Sequence, residues 1–170
     1  MRRPKRLHDD ERGSVAVEFA ILAIPLFMTI FVIVECALQY FVGNSLDVAV
    51  EKAGRRIRTG QAIEQKVDRN TLKSWICKEI DNSFGCPSKL LLRVDVVGKI
   101  TDARVLDPID AAGNLKLDEA FDTGRSGDLV LVQAFLPWPS LSTFYSLSGK
   151  TTNKGDYVLR SISLFRNEPF

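Results

Sequence analysis

A proton shuttle of the Ser-His-Asp or Cys-His kind needs an imidazole, and this 170-residue chain has one histidine, His8, set among charged residues near its N-terminus. The body of the chain therefore offers no imidazole base and no histidine metal ligand. Its Asp and Glu residues are scattered, and no spacing among them proposes a carboxylate pair. The string SGKTT, Ser148 to Thr152, contains the G-K-T of a phosphate-binding loop. The full pattern requires a glycine five residues before Gly149, and Phe144 stands there, so the string reads as a turn. These absences point away from an enzyme and from any bound cofactor or metal. Two features remain that could carry chemistry: the lone acid Glu18 inside the apolar stretch RGSVAVEFAILAIPLF, Arg12 to Phe27, and the cysteine pair Cys77 and Cys86.

Glu18 needs an element to hold it. Phe19 to Val34 has no charged residue, and with Glu18 and Glu35 allowed the apolar character runs from about Val15 to Val42. As helix the shorter run covers roughly 24 Å and the longer about 42 Å, against a hydrocarbon core of about 30 Å. A single membrane span is the reading favoured over a buried core helix, because a chain of this size rarely surrounds a helix that is oily on every face. Pro25 fits the same reading, since membrane helices tolerate an interior proline. The formal net charge of +2 is carried by residues 1–13, which leaves the rest neutral. That neutral body has no basic stripe for phosphates, and so no nucleic-acid partner is expected. The basic residues before the span lie closer to it than Lys52, Arg55, Arg56 and Arg58 do after it, favouring an inside N-terminus.

Cys77 and Cys86 have eight residues between them, with Gly85 and Pro87 beside the second. They read either as a short disulfide loop or as two unrelated buried thiols. A disulfide would place the body of the chain in an oxidising compartment, outside the cytoplasm. Cys36 falls inside the span and reads as a packing residue.

The residues around Glu18 also carry a resemblance. Gly13 followed by Ser14, Val15, Ala16, Val17 and Glu18 resembles the processing site of type IV prepilins, where a membrane peptidase cuts after the glycine and a glutamate stands fifth in the mature chain. With Phe19, Pro25 and Glu35 added, the string GSVAVEFAILAIPLF followed by VIVECALQY resembles the TadE-like pseudopilins of the tight-adherence (Flp) pilus system. GDLVLVQAFLPWPSL and SISLFRNEPF resemble the close of that family's exterior domain, while residues 98–127 match no motif. The resemblance implies a leader at residues 1–13, a transmembrane helix at 14–43 and a periplasmic domain at 44–170. It implies a single-pass bacterial inner-membrane protein with a cytoplasmic N-terminus. The implied partners are a prepilin peptidase, other pilins or pseudopilins, the pilus assembly machinery and the lipid bilayer. Cleavage after Gly13 would free the amine of Ser14, four residues and one helical turn from Glu18. Without the resemblance, Glu18 is a headgroup-level acid and the chain an uncleaved bitopic protein whose exterior domain binds a cell-envelope partner.

Beyond the span, Leu46, Ala49, Val50, Ala53 and Ile57 recur at helical spacing, so the helix is expected to run on to a stop at Gly60. A second helix is expected over Thr71 to Ile80, capped by Asn70, with Leu72, Trp75, Ile76 and Ile80 on one face. Strands are expected at Lys89 to Val97, Asp128 to Leu136 and Tyr157 to Phe165, with Pro137, Trp138 and Pro139 ending the second. Residues 98–127 read as a loop-rich insertion with a short strand near Leu115 to Leu117. The fold class is α+β: a long N-terminal helix, its first half transmembrane and its second half packed on a small exterior domain with an antiparallel sheet.

Overall fold

A computed structural model describes residues 12–80, 85–139 and 151–170. The residues before Arg12, including His8, and most of SGKTT lie outside the described residues. The chain divides into two compact units, Met1–Leu38 and Gln39–Phe170. Helix α1, Arg12–Arg58, contributes residues to both. The described residues of the first unit are all helical, and their side chains from Ser14 on are almost all exposed.

The second unit is α+β. Val42, Leu46, Ala49, Val50, Ala53 and Ile57 of α1 are buried, three or four residues apart except for the adjacent Ala49 and Val50, so one stripe enters the core while Glu51, Lys52, Arg55 and Arg56 stay exposed. Gly60 ends the helix in the left-handed region, at φ 79°, and its N–H donates to the Ile57 carbonyl. A four-residue helix α2, Gln61–Glu64, follows, then α3, Arg69–Ile80. The cap of α3 is Asp68 and not the expected Asn70. Asp68 Oδ1 accepts from both the backbone N–H and the hydroxyl of Thr71, so the helix starts two residues early and Asn70 lies within it. Leu72, Ile76 and Ile80 of α3 are buried, and Trp75 packs half-buried against them beneath the Arg56 guanidinium, 4.5 Å from the ring centroid.

Helix α4, Cys86–Lys89, leads into β1, Leu91–Val97. Strands β2, Leu129–Trp138, and β3, Tyr157–Arg166, complete an antiparallel sheet in the order β1-β2-β3. Register places Leu92 opposite Ala134 and Val94 opposite Val132, and on the other side Val130 opposite Phe165 and Leu136 opposite Leu159. These residues form the face that meets α1 and α3 in one core. β2 does not stop before Pro137, because Pro137 pairs with Val158 and Trp138 with Tyr157. β1 has already ended opposite Phe135, so the missing N–H of Pro137 meets one ladder rather than two.

The second face of β2 is also buried, at Leu131, Gln133 and Phe135. The insertion after β1 crosses it, held by Gln133, whose amide accepts from Leu106 N–H at 2.9 Å and donates to the Arg104 carbonyl at 3.2 Å. The expected strand at Leu115 to Leu117 is only a bridge between Ile109 and Leu115. Further on, Phe121 pairs in parallel with Val94 and covers the outer edge of β1. Glu119 ties this segment to α3 and β1: its carboxylate accepts from Lys73 at 2.5 Å and from Leu92 N–H at 3.0 Å, and its carbonyl accepts from Arg69. Buried Asn167 holds the turn before β2 by donating to the carbonyls of Thr123 and Arg125.

Candidate processing site and membrane segment

The candidate site lies on the first turns of α1. Gly13 is helical, and Ser14 and Glu18 follow on exposed positions, separated by one turn or about 6 Å of rise. Among the described residues of the first unit nothing shields Glu18, whose flanking residues Val17 and Phe19 are 60% and 70% exposed. Phe19 heads a succession of exposed apolar side chains that includes Ile24, Phe27 and Phe31. An α-helix this apolar and uncovered is long enough to cross a membrane, with mean hydropathy 2.6 over its most apolar window and none of that window buried.

Pro25 lies inside α1 without ending it. It has no N–H for the carbonyl of Ile21, four residues back. One turn on, the Thr29 hydroxyl donates to the Pro25 carbonyl at 2.8 Å, a local bond that keeps a hydroxyl satisfied in apolar surroundings. Glu35 is half-buried near the other end of the apolar stretch, and Cys36 beside it is exposed. The structure thus gathers Gly13, Ser14, Glu18 and Phe19 within two turns, and places Pro25 and Glu35 farther along the same helix.

Cys77 and Cys86 belong to the second unit. Their sulfurs are bonded, with the Cα atoms 5.4 Å apart and both side chains fully buried. Cys77 sits in the third turn of α3. Gly85, at φ 66°, turns the chain so that Cys86 starts α4, with Pro87 where no helical N–H is needed. Among the described residues no three of His, Cys, Asp and Glu are grouped so as to hold a metal ion. Sequence reasoning missed Gln133 and Glu119, which bind the insertion to the sheet. A glutamine centred in the otherwise apolar run LVLVQAFL was the available signal, because a buried amide must find partners.

No curated protein and no solved structure matches the chain. A family model described as TadE-like protein does match, over residues 13–55. The match starts at Gly13, takes in the whole exposed apolar part of α1 and reaches the striped part that enters the core of the second unit. An N-terminal apolar helix of this kind suggests a single-pass membrane anchor. Over residues 13–55 the chain is thus similar to TadE-like proteins.

Proposed function

We propose that this protein is a membrane-anchored pseudopilin, cut after Gly13 by a prepilin peptidase and required for assembly of a Flp-type pilus. The observation that carries the reading is the placement of Gly13, Ser14, Glu18 and Phe19 at the head of an uncovered apolar helix within a TadE-like segment. In this reading residues 14–43 span the inner membrane, the N-terminus is cytoplasmic, and residues 44–170 form a periplasmic domain. The Cys77–Cys86 bond supports that orientation, because such bonds persist in oxidising compartments.

The chemistry follows from the helix. Cleavage leaves a free amine on Ser14, which is cationic at neutral pH. Glu18 stands one turn away on the same face and can neutralise that amine on its own chain or on an adjacent subunit. An acid at a helix centre in hydrocarbon costs about 2.5 to 3.5 kcal/mol on insertion scales, so a partner that neutralises it is the physical reason to keep it. Gly13 suits the cut because a Cβ would obstruct close approach of the peptidase to the backbone.

The test is the N-terminal residue of the protein taken from membranes, expected to be Ser14. Gly13→Leu should leave an uncut precursor, and normal shortening of that variant would refute the assignment of the cut. Glu18→Ala should still insert and be cut, since the acid lies past the scissile bond, while pilus output falls. Wild-type pilus output from Glu18→Gln would exclude charge pairing, because an amide keeps the shape without the charge.

A further inference from the structure

The second unit has a definite end beside residues 39–43 of α1. A Cβ built on Gly43 would stand 3.7 Å from Leu159, one on Gly54 2.9 Å from the ring of Phe165, and one on Gly60 2.6 Å from that of Phe170. These contacts advance together along α1 and along β3 and its tail, so helix and strand run in the same direction. From Gly43 to Gly54 the helix advances about 17 Å, and from Leu159 to Phe165 the strand advances about 20 Å, as two elements lying side by side require. The start of β3 and, through the pair Trp138 and Tyr157, the end of β2 therefore lie beside the first turns of α1 in this unit. The opposite pair of that ladder, Leu129 and Arg166, lies about 30 Å away.

Three further features belong to the same end. Tyr40 and Phe41 are 79% and 63% exposed where α1 enters the unit. Thr151 bridges Tyr157, which brings the loop Thr151 to Asp156 there. Asn153 then draws in the tip of the insertion, its N–H donating to the Gly113 carbonyl at 2.9 Å and its side-chain amide to Asn114 Oδ1 at 3.1 Å. The described charges at this end are Lys116, Lys154 and Arg160 against Asp47, Asp107, Asp110 and Asp156, which leaves no basic excess.

From this geometry we infer that this end of the second unit is a membrane-contact surface, on which Tyr40, Phe41, Trp138 and Tyr157 stand at the level of zwitterionic lipid headgroups. The inference rests on the membrane span of the proposed function, to which it adds the face of the exterior domain that meets the bilayer, and it does not depend on cleavage at Gly13. Residues 39–43 follow the most apolar part of α1 directly, so what lies beside them lies beside the bilayer surface. Tyrosine and tryptophan favour that layer because an apolar ring and a polar tip are both satisfied there. Without a basic excess, the contact depends on the rings and not on anionic lipid.

The chain has two tryptophans, and they mark two levels. Trp138 belongs to the surface, whereas Trp75 lies against Arg56, about 20 Å of helix beyond Gly43. The full chain is reconstituted in phosphatidylcholine vesicles carrying a nitroxide on the headgroup, with unlabelled vesicles as the blank, and protein that floats with the vesicles after an alkaline wash is measured. In Trp75→Phe, Trp138 should lose most of its emission; in Trp138→Phe, Trp75 should lose almost none. Where Trp138→Phe fails to fold, the emission that survives in the wild type reports Trp75 instead. Added anionic lipid should leave both results unchanged. An unquenched Trp138, equal quenching of the two, or a requirement for anionic lipid would each overturn the inference. Protein that does not float would refute the span and the inference with it, whereas floated protein with an unquenched Trp138 would overturn the inference alone.

Discussion

Breaking the Cys77–Cys86 bond is the perturbation whose effect can be worked most directly. The cysteines are nine positions apart, so the bond closes a loop of ten residues counting both ends. Chain-entropy scaling gives about 9 cal/mol/K for a loop of that length, or about 2.7 kcal/mol at 298 K, a roughly hundredfold change in the folding equilibrium of the second unit. Reduction is a cleaner perturbation than substitution. Both sulfurs are fully buried, so serine would place hydroxyls in the core and alanine would leave voids, whereas reduction adds only two hydrogens. Burial also keeps reductant out until the chain opens, so protein should be unfolded in dithiothreitol and refolded before measurement. Trp75 and Trp138 lie in this unit and report its unfolding by fluorescence while the chain is held in detergent. For a urea dependence of about 1–3 kcal/mol/M, the midpoint should fall by roughly 1–3 M. A parallel thiol count in non-reducing denaturant should label Cys36 alone. An unchanged midpoint would show that the cross-link does not constrain the unfolded chain, and three labelled thiols would remove the bond together with its support for a periplasmic domain.

Gln133→Leu keeps the approximate shape but strands the Leu106 N–H and the Arg104 carbonyl, at a cost of about 1–3 kcal/mol, and should speed hydrogen exchange at Leu106 selectively. Unaltered protection there would mean that Gln133 does not hold the insertion. Leu46→Ala removes a fully buried side chain from the α1 stripe and should destabilise the second unit by about 2–5 kcal/mol, while Phe31→Ala, at a position 70% exposed, should leave its urea midpoint unchanged. Burial of Glu119 pushes its carboxyl up, but the hydrogen bonds from Lys73 and Leu92 N–H outweigh that and hold it below the ordinary value of 4.5. Its contribution is therefore complete above that value and is lost as pH falls from there through the lower folded-state value, so the midpoint gap between wild type and Glu119→Gln should close on acidification. A gap that stays constant from pH 7 to pH 3 would contradict the assignment.

What was legible in the sequence follows from range of interaction. The α1 stripe, the stop at Gly60 and the three strands rest on periodicity and local backbone freedom, which a single segment displays by itself. The cap of α3 was misplaced because Asp68 and Asn70 are both capable caps, and the two bonds that Thr71 donates, both to Asp68 Oδ1, decide between them. Ending β2 at Pro137 failed for a topological reason: β1 stops opposite Phe135, so the proline disturbs one ladder. The insertion was least legible. It has no period of its own and is held at separated points by Gln133, Glu119 and Asn167, whose partners are 27 to 50 positions away in sequence. The placement of Gly13, Ser14, Glu18 and Phe19 on one helix was the most legible, because it follows from spacing alone and needs no tertiary contact; their role in processing is a proposal.

The two parts of α1 obey different rules, and the difference bears on function. From residue 42 to 57 the apolar positions form a stripe and the remainder are polar, as burial on one side requires. From residue 19 to 34 apolar side chains point in every direction, and none of the most apolar window is buried. Water would oppose that exposure at about 25 cal/mol per Å² of apolar surface, a penalty that hydrocarbon removes. Within such a helix polar groups stand out by cost: Thr29 satisfies its hydroxyl on the Pro25 carbonyl, but among the described residues the exposed Glu18 carboxylate has no hydrogen bond or ion pair. The charge created by a cut after Gly13 lies one turn away. In the proposed function, a single proteolytic event would thereby convert Glu18 from a liability of insertion into half of an ion pair, and would couple maturation of the chain to its competence for assembly.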